Sequence, residues 1–319
     1  MGFFEREIRP DGRCILRVAG KKVFSVHSTP VRRFARKDRP VLVVRLMAED
    51  VGIFCHFAFN LGWMRWAEVR GYRTYIDMRR SKNLFTRGQA ELSFNPWDRF
   101  FRQTCAPADL LGAKRVLTTV GYLPPPEYPG TSPALCDQGN PEFLEWRRFT
   151  HGHIAFSDEM TAVIDARQAA LFGEGDRILG CFVRGTDYLR MKPKNHLVQP
   201  EPRQVAADAK RICEERDLQK VFLASEDRDV YDLFRREFGD RLIVNQTELP
   251  EYRSDFLVRS GALGDLSRTM LITSQYLTSV ALLSRCTCLL GGCASGFVGA
   301  ALLSKGFELM RTYDLGCYG

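Results

Sequence analysis

The sequence predicts an α/β protein built from two Rossmann-type units whose sheets are mostly parallel. Three observations carry that expectation. Short apolar runs, as at 41–46, 178–183 and 220–225, alternate with longer stretches that keep an apolar stripe every 3.6 residues, the order that yields parallel strands joined by helical crossovers. A chain of 319 residues with 45% apolar content can bury a sizeable core, and its length suits roughly two domains. Polar residues and glycines stand directly after several apolar runs, at the edge where open α/β sheets bind ligands.

Charge and cysteine usage narrow the function classes. Lys and Arg number 46 against 38 Asp and Glu, a net charge of +8 that suits phosphate-bearing ligands, an anionic membrane surface or nucleic acid. The basic residues are dispersed, with no zinc-finger spacing, RNP-type aromatic motif or helix-turn-helix pattern, so no nucleic-acid partner is expected. The ten cysteines include no C-x-x-C pair, which argues against a structural zinc site. Cys181, Cys286 and Cys288 fall in predicted strands and Cys213 on the inner face of a predicted helix, so they read as small core residues of a reducing compartment. Met1 to Glu7 has no basic start followed by an apolar core and does not read as a secretory signal. The most apolar window, 51–66, contains His56, Asn60 and Arg65 and falls short of the roughly 20 apolar residues that span a bilayer. The expectation is a cytoplasmic protein. Arg32-Arg33-Phe34-Ala35-Arg36-Lys37 is either a solvated loop or a peripheral contact with the anionic inner face of the cytoplasmic membrane.

Residues 1–40 form an N-terminal extension with a small hairpin at 12–26, because Cys14, Leu16, Val18 and then Val23, Phe24 and Val26 alternate around Gly20-Lys21. The first Rossmann-type domain spans 41–172. Val41 to Leu46 is a strand, 50–60 a loop rich in Phe and Gly, Leu61 to Arg70 a helix that stops at Gly71, and Tyr72 to Met78 a second strand containing Asp77. Together they make a βαβ unit. Asn95-Pro96-Trp97 opens a short helix with a capping residue and a first-position proline, and Arg115 to Val120 is a strand. The five prolines of 122–133 forbid regular structure. Ser157-Asp158 caps a helix to Phe172, and Gly173-Glu174-Gly175-Asp176 breaks the chain before the second domain, 173–319. There, strands at 178–183, 220–225, 241–244, 286–290 and 307–310 alternate with helices starting at Pro202, Arg228, Asp265 and Ser295, which implies a doubly wound parallel sheet.

Three loops of this second domain carry unusual chemistry. After Cys181-Phe182-Val183 come Arg184-Gly185-Thr186-Asp187-Tyr188 and then Lys192-Pro193-Lys194-Asn195-His196. Arg184 at a strand end can grip a diphosphate with its planar fork, and Gly185 lets backbone and ligand approach closely; the alternative is that Arg184 and Asp187 simply pair with each other. Ser225-Glu226-Asp227 places acidic groups where they can accept hydrogen bonds from ribose hydroxyls or a purine, although helix capping accounts for Asp227. Gly291-Gly292-Cys293-Ala294-Ser295-Gly296-Phe297 puts small residues at the start of a helix whose free amides suit a phosphate. In a parallel sheet these loops gather at one edge, and together they point to a nucleotide diphosphate.

The same segments resemble the three conserved blocks of the GDP-fucose-using fucosyltransferases, a group that includes core α1,6-fucosyltransferases, the rhizobial Nod-factor enzyme and, more distantly, α1,2- and protein O-fucosyltransferases. Val183 to Tyr188 with His196 is similar to the first block, Phe222 to Asp227 to the second and Gly292 to Val298 to the third. In the first half, the Gly62-Trp63 helix, the strand from Gly71-Tyr72 to Asp77-Met78 and the Asn95-Pro96-Trp97 turn resemble the acceptor-side domain of bacterial relatives, and the ending Asp314 to Gly319 is similar to that of an uncharacterised bacterial branch. The resemblance implies a GT-B-like fold with two Rossmann-type domains facing a cleft. It implies an inverting, metal-independent transfer of fucose from GDP-fucose to a saccharide acceptor, as in the synthesis of lipopolysaccharide, capsule or exopolysaccharide, with no cofactor besides the donor. Carried over by position, Arg184 binds the diphosphate, Asp227 with Glu226 the guanosine, and Ser295, Gly296 and Phe297 the phosphates; Gly185, Thr186, Lys192, Ser225 and Gly292 complete the donor-binding set. Three positions depart from the pattern: Phe182 replaces the His that usually opens the first block, Gly185 replaces a second Arg of the core α1,6 enzymes, and Lys192 aligns with the glutamate proposed as their base. The resemblance therefore leaves acceptor and base open. Another GDP-sugar such as GDP-mannose, or non-catalytic binding of a sugar nucleotide or glycan, stays in view.

Transfer requires stabilisation of the leaving diphosphate and of an oxocarbenium-like sugar, together with deprotonation of the acceptor. Arg184 supplies the first, joined by Lys192, Lys194 and the helix amides at Ser295. His196 follows a Lys-Pro-Lys loop and is the candidate base, beside readings as a structural or donor-binding histidine. Asp187 joins the catalytic set as a partner for Arg184 or nearby amides. His56 is a second candidate base and, with Asn60 and Trp63, forms the acceptor-binding set; the aromatic residues of this region either stack on sugar rings or fill the core. No G-x-G-x-x-G follows the first strand, so a dinucleotide oxidoreductase is not expected.

Overall fold

The computed structural model describes residues 4–8, 14–18, 21–26, 40–49, 51–86, 91–113, 115–119, 121, 124–245 and 263–319, with the backbone alone for 4–26 and for Pro133, Thr186 and Asp187. Strands β1 (Phe4–Ile8), β2 (Cys14–Val18) and β3 (Lys21–Val26) form an antiparallel sheet in that order. The expected hairpin is β2–β3, and β1 adds a strand to it. The basic stretch Arg32 to Lys37 lies outside the described residues.

The first half continues with β4 (Val41–Val44), α1 (Ile53–Val69), β5 (Arg73–Ile76), α2 (Pro96–Phe100), α3 (Pro107–Gly112), β6 (Val116–Thr118), α4 (Pro141–His153) and α5 (Asp158–Leu171). Its three strands are parallel in the order β5-β4-β6. The segment 50–60 corrects the sequence reading, because from Ile53 onward it is helix, not loop. From Ile53 to Ala67 every residue except Cys55 and Arg65 is buried, so α1 has almost no polar face and shows no 3.6-residue stripe. Gly62 within the helix is required by packing: a Cβ there would sit 2.3 Å from the Glu127 carbonyl oxygen. Helix α4 is new as well. Asn140 accepts a hydrogen bond from the Glu142 amide and Pro141 takes the first position, so its start signal was present in the sequence.

The second half runs β7 (Ile178–Val183), α6 (Thr186–Met191), α7 (Pro202–Glu215), β8 (Lys220–Ser225), α8 (Arg228–Phe238), β9 (Leu242–Val244), α9 (Leu266–Leu283), β10 (Cys288–Gly291), α10 (Ser295–Leu303) and β11 (Leu309–Thr312). All five strands are parallel, in the order β11-β10-β7-β8-β9, as expected. The chain winds outward from β7 through β8 to β9, then returns to β10 on the other side of β7. The point where strand order reverses is therefore between β7 and β10, the position at which doubly wound sheets open a ligand crevice.

Strand pleating divides the core of this sheet. Leu179, Cys181 and Val183 pack with Val205, Ile212 and Phe234 of α7 and α8, whereas Ile178, Phe182 and Phe222 join α9 and α10 in a cluster that continues into Val44, Phe57 and Phe101 of the first half. Helices α1 and α10 come close because Gly299 has no side chain; a Cβ there would lie 2.3 Å from the Phe54 ring. Cys181, Cys213, Cys286 and Cys288 are buried and free, as expected. Cys293 departs from that pattern. It pairs as a disulfide with Cys136, their Cα atoms 6.6 Å apart across a sequence separation of 157, and so ties the 3-10 turn Pro133–Cys136 to the glycine-rich turn after β10. Among the described residues no helix is long and apolar enough to cross a membrane.

Candidate active site

The three chemistry-bearing segments meet at one edge. Val183 of β7 is in register with Ser225 of β8, and Phe182 with Gly291 of β10, so Arg184, Glu226-Asp227 and Gly292 to Ser295 all leave the carboxyl ends of adjacent parallel strands. Two of the three flank the point of strand-order reversal. β7 is buried along its whole length, and the first residue that can carry a charge to the surface is Arg184.

Around Arg184 the geometry is tight. Its guanidinium lies 3.6 Å from a Glu226 carboxylate oxygen and 4.8 Å above the Tyr188 ring, with the two charged side chains 17% and 10% exposed. The Gly185 amide donates to the other Glu226 oxygen at 2.8 Å. A Cβ on Gly185 would stand 2.2 Å from the Cβ of Asp227, so the glycine is required by a neighbouring loop rather than by a ligand, which corrects the reason expected for it. Asp227 caps α8 by accepting the Asp229 amide at 2.8 Å, and Ser225 is buried under Tyr231, whose hydroxyl donates to the Ser225 carbonyl at 3.0 Å. Capping thus occupies one Asp227 oxygen, and Glu226 holds both Arg184 and the Gly185 amide. The side chains of Thr186 and Asp187, and with them the Arg184–Asp187 pairing, lie outside those described.

The glycine-rich turn is occupied by the protein itself. A Cβ on Gly292 would fall 2.1 Å from the Gln199 amide oxygen, and one on Gly296 would fall 2.2 Å from the Tyr276 hydroxyl. The Phe297 side chain is fully buried, so this residue offers the site its backbone alone. Ser295, at the start of α10, is partly exposed. The Cys55 thiol of α1 hydrogen-bonds to it; burial raises the thiol pKa, with the Ser295 contact and the Arg184 charge opposing. Burial likewise raises the Tyr276 hydroxyl, again against the Arg184 charge. Cys55, Tyr276 and Gln199 are neighbours of the site that sequence reasoning missed. Cys55 was hidden by the loop assignment of 50–60, and Tyr276 stands off the apolar stripe of α9 with no signal to mark it.

His196 is exposed, with Nδ1 3.2 Å from the Tyr188 hydroxyl, so Arg184, Tyr188 and His196 form a contiguous row. Its loop is clamped by the C-terminal residues: the Asn195 amide donates to the Tyr318 carbonyl at 3.0 Å, the Val198 amide to Gly316 at 2.9 Å, and the Tyr318 amide to His196 at 2.9 Å. Lys192 and Lys194 are exposed, Lys192 in the left-handed region at φ 43° where α6 ends. The expected acceptor-binding set is corrected. His56 and Asn60 are 1% exposed and Trp63 2%, inside the packing of α1, where a saccharide does not reach. Among the described residues, no partner at full hydrogen-bond geometry reaches the His56 ring nitrogens or the Asn60 amide, the Ala48 carbonyl making only a looser contact with the imidazole. Desolvation lowers the His56 pKa to about 4, against a small opposing effect of the Ala48 carbonyl, so its imidazole is neutral.

Cavities of about 470 and 560 Å³ lie on the first half, one lined by Arg73, Arg102 and His153 and the other by Tyr75, Arg79 and Asp98. Neither includes Arg184 or Ser295. The convergence of charged and hydrogen-bonding groups at a strand-order reversal is the stronger pointer to function, because cavity size carries no chemistry.

No family model matches the chain, and no curated protein matches it. Among solved structures it is similar to POFUT1 in complex with GDP, at 10% identity and a TM-score of 0.50 over 88% of this chain and 100% of that one. It is also similar to NodZ alpha-1,6-fucosyltransferase soaked with GDP-fucose, at 17% identity and a TM-score of 0.49 over 84% and 93% of the two chains. Fucosyltransferase NodZ from Bradyrhizobium follows at 17% identity and a TM-score of 0.48 over 83% and 92%. At these identities the POFUT1 likeness establishes the fold: the chain is a GT-B-like α/β protein with two parallel sheets.

Proposed function

We propose that this protein is a glycosyltransferase that moves fucose from GDP-fucose to a saccharide acceptor, with inversion and without calling on a metal. The observation that carries the reading is Arg184, set at the strand-order reversal and oriented by Glu226, with Ser295 and the first-turn amides of α10 on the neighbouring strand end. That a protein of the same fold is described in complex with GDP supports the donor. The acceptor oxygen attacks the anomeric carbon as the bond to the diphosphate oxygen breaks, the electron pair leaves with GDP, and the acceptor proton passes to His196. Arg184, Lys192, Lys194 and the α10 amides meet the charge that grows on the leaving group. Asp227 contacts the guanosine, Glu226 acts as a positioning residue for Arg184, and Asp187 supports that arginine. The proposed setting is surface-glycan synthesis on the cytoplasmic side of the membrane, with the basic segment Arg32 to Lys37 resting on anionic lipid.

A thermal-shift panel of nucleotides and sugar nucleotides, followed by GDP-release assays on the compounds that bind, tests this directly. GDP and GDP-fucose are expected to raise Tm, and GDP-fucose to turn over. Stabilisation without turnover of any donor would make the protein a sugar-nucleotide-binding module, turnover of GDP-mannose in place of GDP-fucose would change the donor, and no shift with any guanine nucleotide would remove the reading. His196→Ala is expected to lower kcat by about a hundredfold and flatten the pH profile near neutrality; an unchanged profile would take the base assignment from His196.

A further inference from the structure

The sheet of the first half carries a second charged constellation at its own carboxyl edge. Val44 of β4 is in register with Ile76 of β5, so the next residues, Arg45 and Asp77, stand side by side where the strands end. The Asp77 carboxylate is 1% exposed and accepts from Arg45 Nε at 2.9 Å, from Arg79 Nε at 3.0 Å and from the Arg79 amide at 3.2 Å. Burial alone would raise its pKa, but the hydrogen bonds and charges of Arg79 and Arg45 outweigh it and hold the carboxyl below its ordinary value.

One carboxylate thus anchors two guanidinium groups, and both are engaged only through Nε. Their four terminal Nη atoms have no hydrogen-bond partner among the described residues, and the side chains are 32% and 31% exposed. A purely structural arginine–carboxylate pair closes fork on fork; here Asp77 fixes the planes and leaves the forks outward. Lys82 on the following loop is exposed as well. Asp98 and Glu91 act on Arg79 through their charge but accept hydrogen bonds from other groups, Asp98 from Asn95 and Gln103 and Glu91 from Arg80, so neither closes the Arg79 fork. Helix α1 connects this edge to the donor side. The chain leaves β4 through Arg45 and enters α1, whose first turn places Cys55 against Ser295 and within reach of the Arg184 charge.

We propose that Arg45 and Arg79, oriented by Asp77, bind a carboxylate or phosphate on the acceptor, so that the acceptor is an anionic saccharide and not a neutral one. Paired guanidinium forks match the planar oxygens of a carboxylate or the oxygens of a phosphate ester and have no comparable fit to a neutral sugar. The inference rests on the glycosyltransferase reading for its meaning, and its binding test does not need the donor.

Calorimetric binding of uronic-acid oligosaccharides, their methyl esters, phosphorylated sugars and their unphosphorylated counterparts to the full chain decides it. At least one carboxylate- or phosphate-bearing member is expected to bind tenfold or more tightly than its neutral counterpart, and the preference is expected to vanish in Arg45→Gln and Arg79→Gln. Arg79→Lys, which keeps the charge and loses the fork, should retain only part of it. In turnover assays the same Gln variants should raise KM for the anionic acceptor tenfold or more while KM for GDP-fucose moves less than twofold. No preference for any anionic member in the wild type, a preference that survives in both Gln variants, or an equal rise in donor KM would overturn the proposal. Binding of the anionic saccharide with no response to any GDP-sugar would leave this site standing and remove the donor reading instead.

Discussion

The two sheet edges of this protein hold the same kind of pair, an arginine beside a carboxylate at the end of a buried parallel strand, and treat it differently. At the β7–β8 edge Glu226 lies 3.6 Å from the Arg184 guanidinium, spends its other oxygen on the Gly185 amide, and shares the arginine with the Tyr188 ring. At the β4–β5 edge Asp77 takes two guanidinium groups by their Nε atoms, with the Arg79 amide as a third donor. The difference teaches that the first edge is built to hold one cation in one place, and the second to present two forks outward. Charged groups gather at strand ends in both halves, whereas His56 and Asn60 of helix α1 are enclosed by packing.

The hardest test of that contrast is Arg184→Ala. It is expected to cut transfer by about a hundredfold to a thousandfold, the scale of losing a charged group that stabilises a transition state, while circular dichroism and Tm stay close to wild type. Equal turnover would dissolve the distinction between the two edges. Next in size is the acid response of His56. Its folded pKa of about 4 lies below the ordinary 6.5, so the folded state binds fewer protons than the unfolded one between these values. The stability tied to this histidine is full above pH 6.5 and falls as pH drops toward 4, by about 3 kcal/mol in all. Denaturant melts of the wild type and His56→Leu from pH 7 to pH 4 should converge in the variant's favour on acidification, with turnover at neutral pH unaltered; a loss of acceptor affinity in His56→Leu would return α1 to the acceptor site. The smallest expected effect is that of Gly185→Ala, where the new methyl meets Asp227 at 2.2 Å and costs about 1–3 kcal/mol, measured as a lower denaturation midpoint. An unchanged midpoint would mean that the two loops are not packed against each other.

Much of the second half was legible because its local signals agree with one another. β8 and α8 fall where the sequence predicts them, since an apolar strand runs straight into Asp227, which caps the helix, and Gly239 ends it at φ 52°. The first half was harder. α1 is apolar on almost every side, so periodicity could not distinguish it from a buried loop, and His56, Asn60 and Trp63 read as reachable polar and aromatic groups. Asp77 was visible as a strand-end acid, but its two partners were not, because Arg45 reaches it only through the register of β4 with β5. The Cys136–Cys293 pair had no spacing signature at a separation of 157 residues.

By itself the sequence determined the α/β alternation, the parallel second sheet and the convergence of Arg184, Glu226-Asp227 and the glycine turn on one edge, because pleat, helical period and the rule of right-handed crossovers act within a few tens of residues. Tertiary structure alone decided what those residues touch. Whether a glycine's missing side chain makes room for a ligand or for Gln199, Tyr276 and Asp227, and whether an arginine's fork is closed or open, depends on groups brought together from distant parts of the chain, and a linear pattern carries no record of that contact.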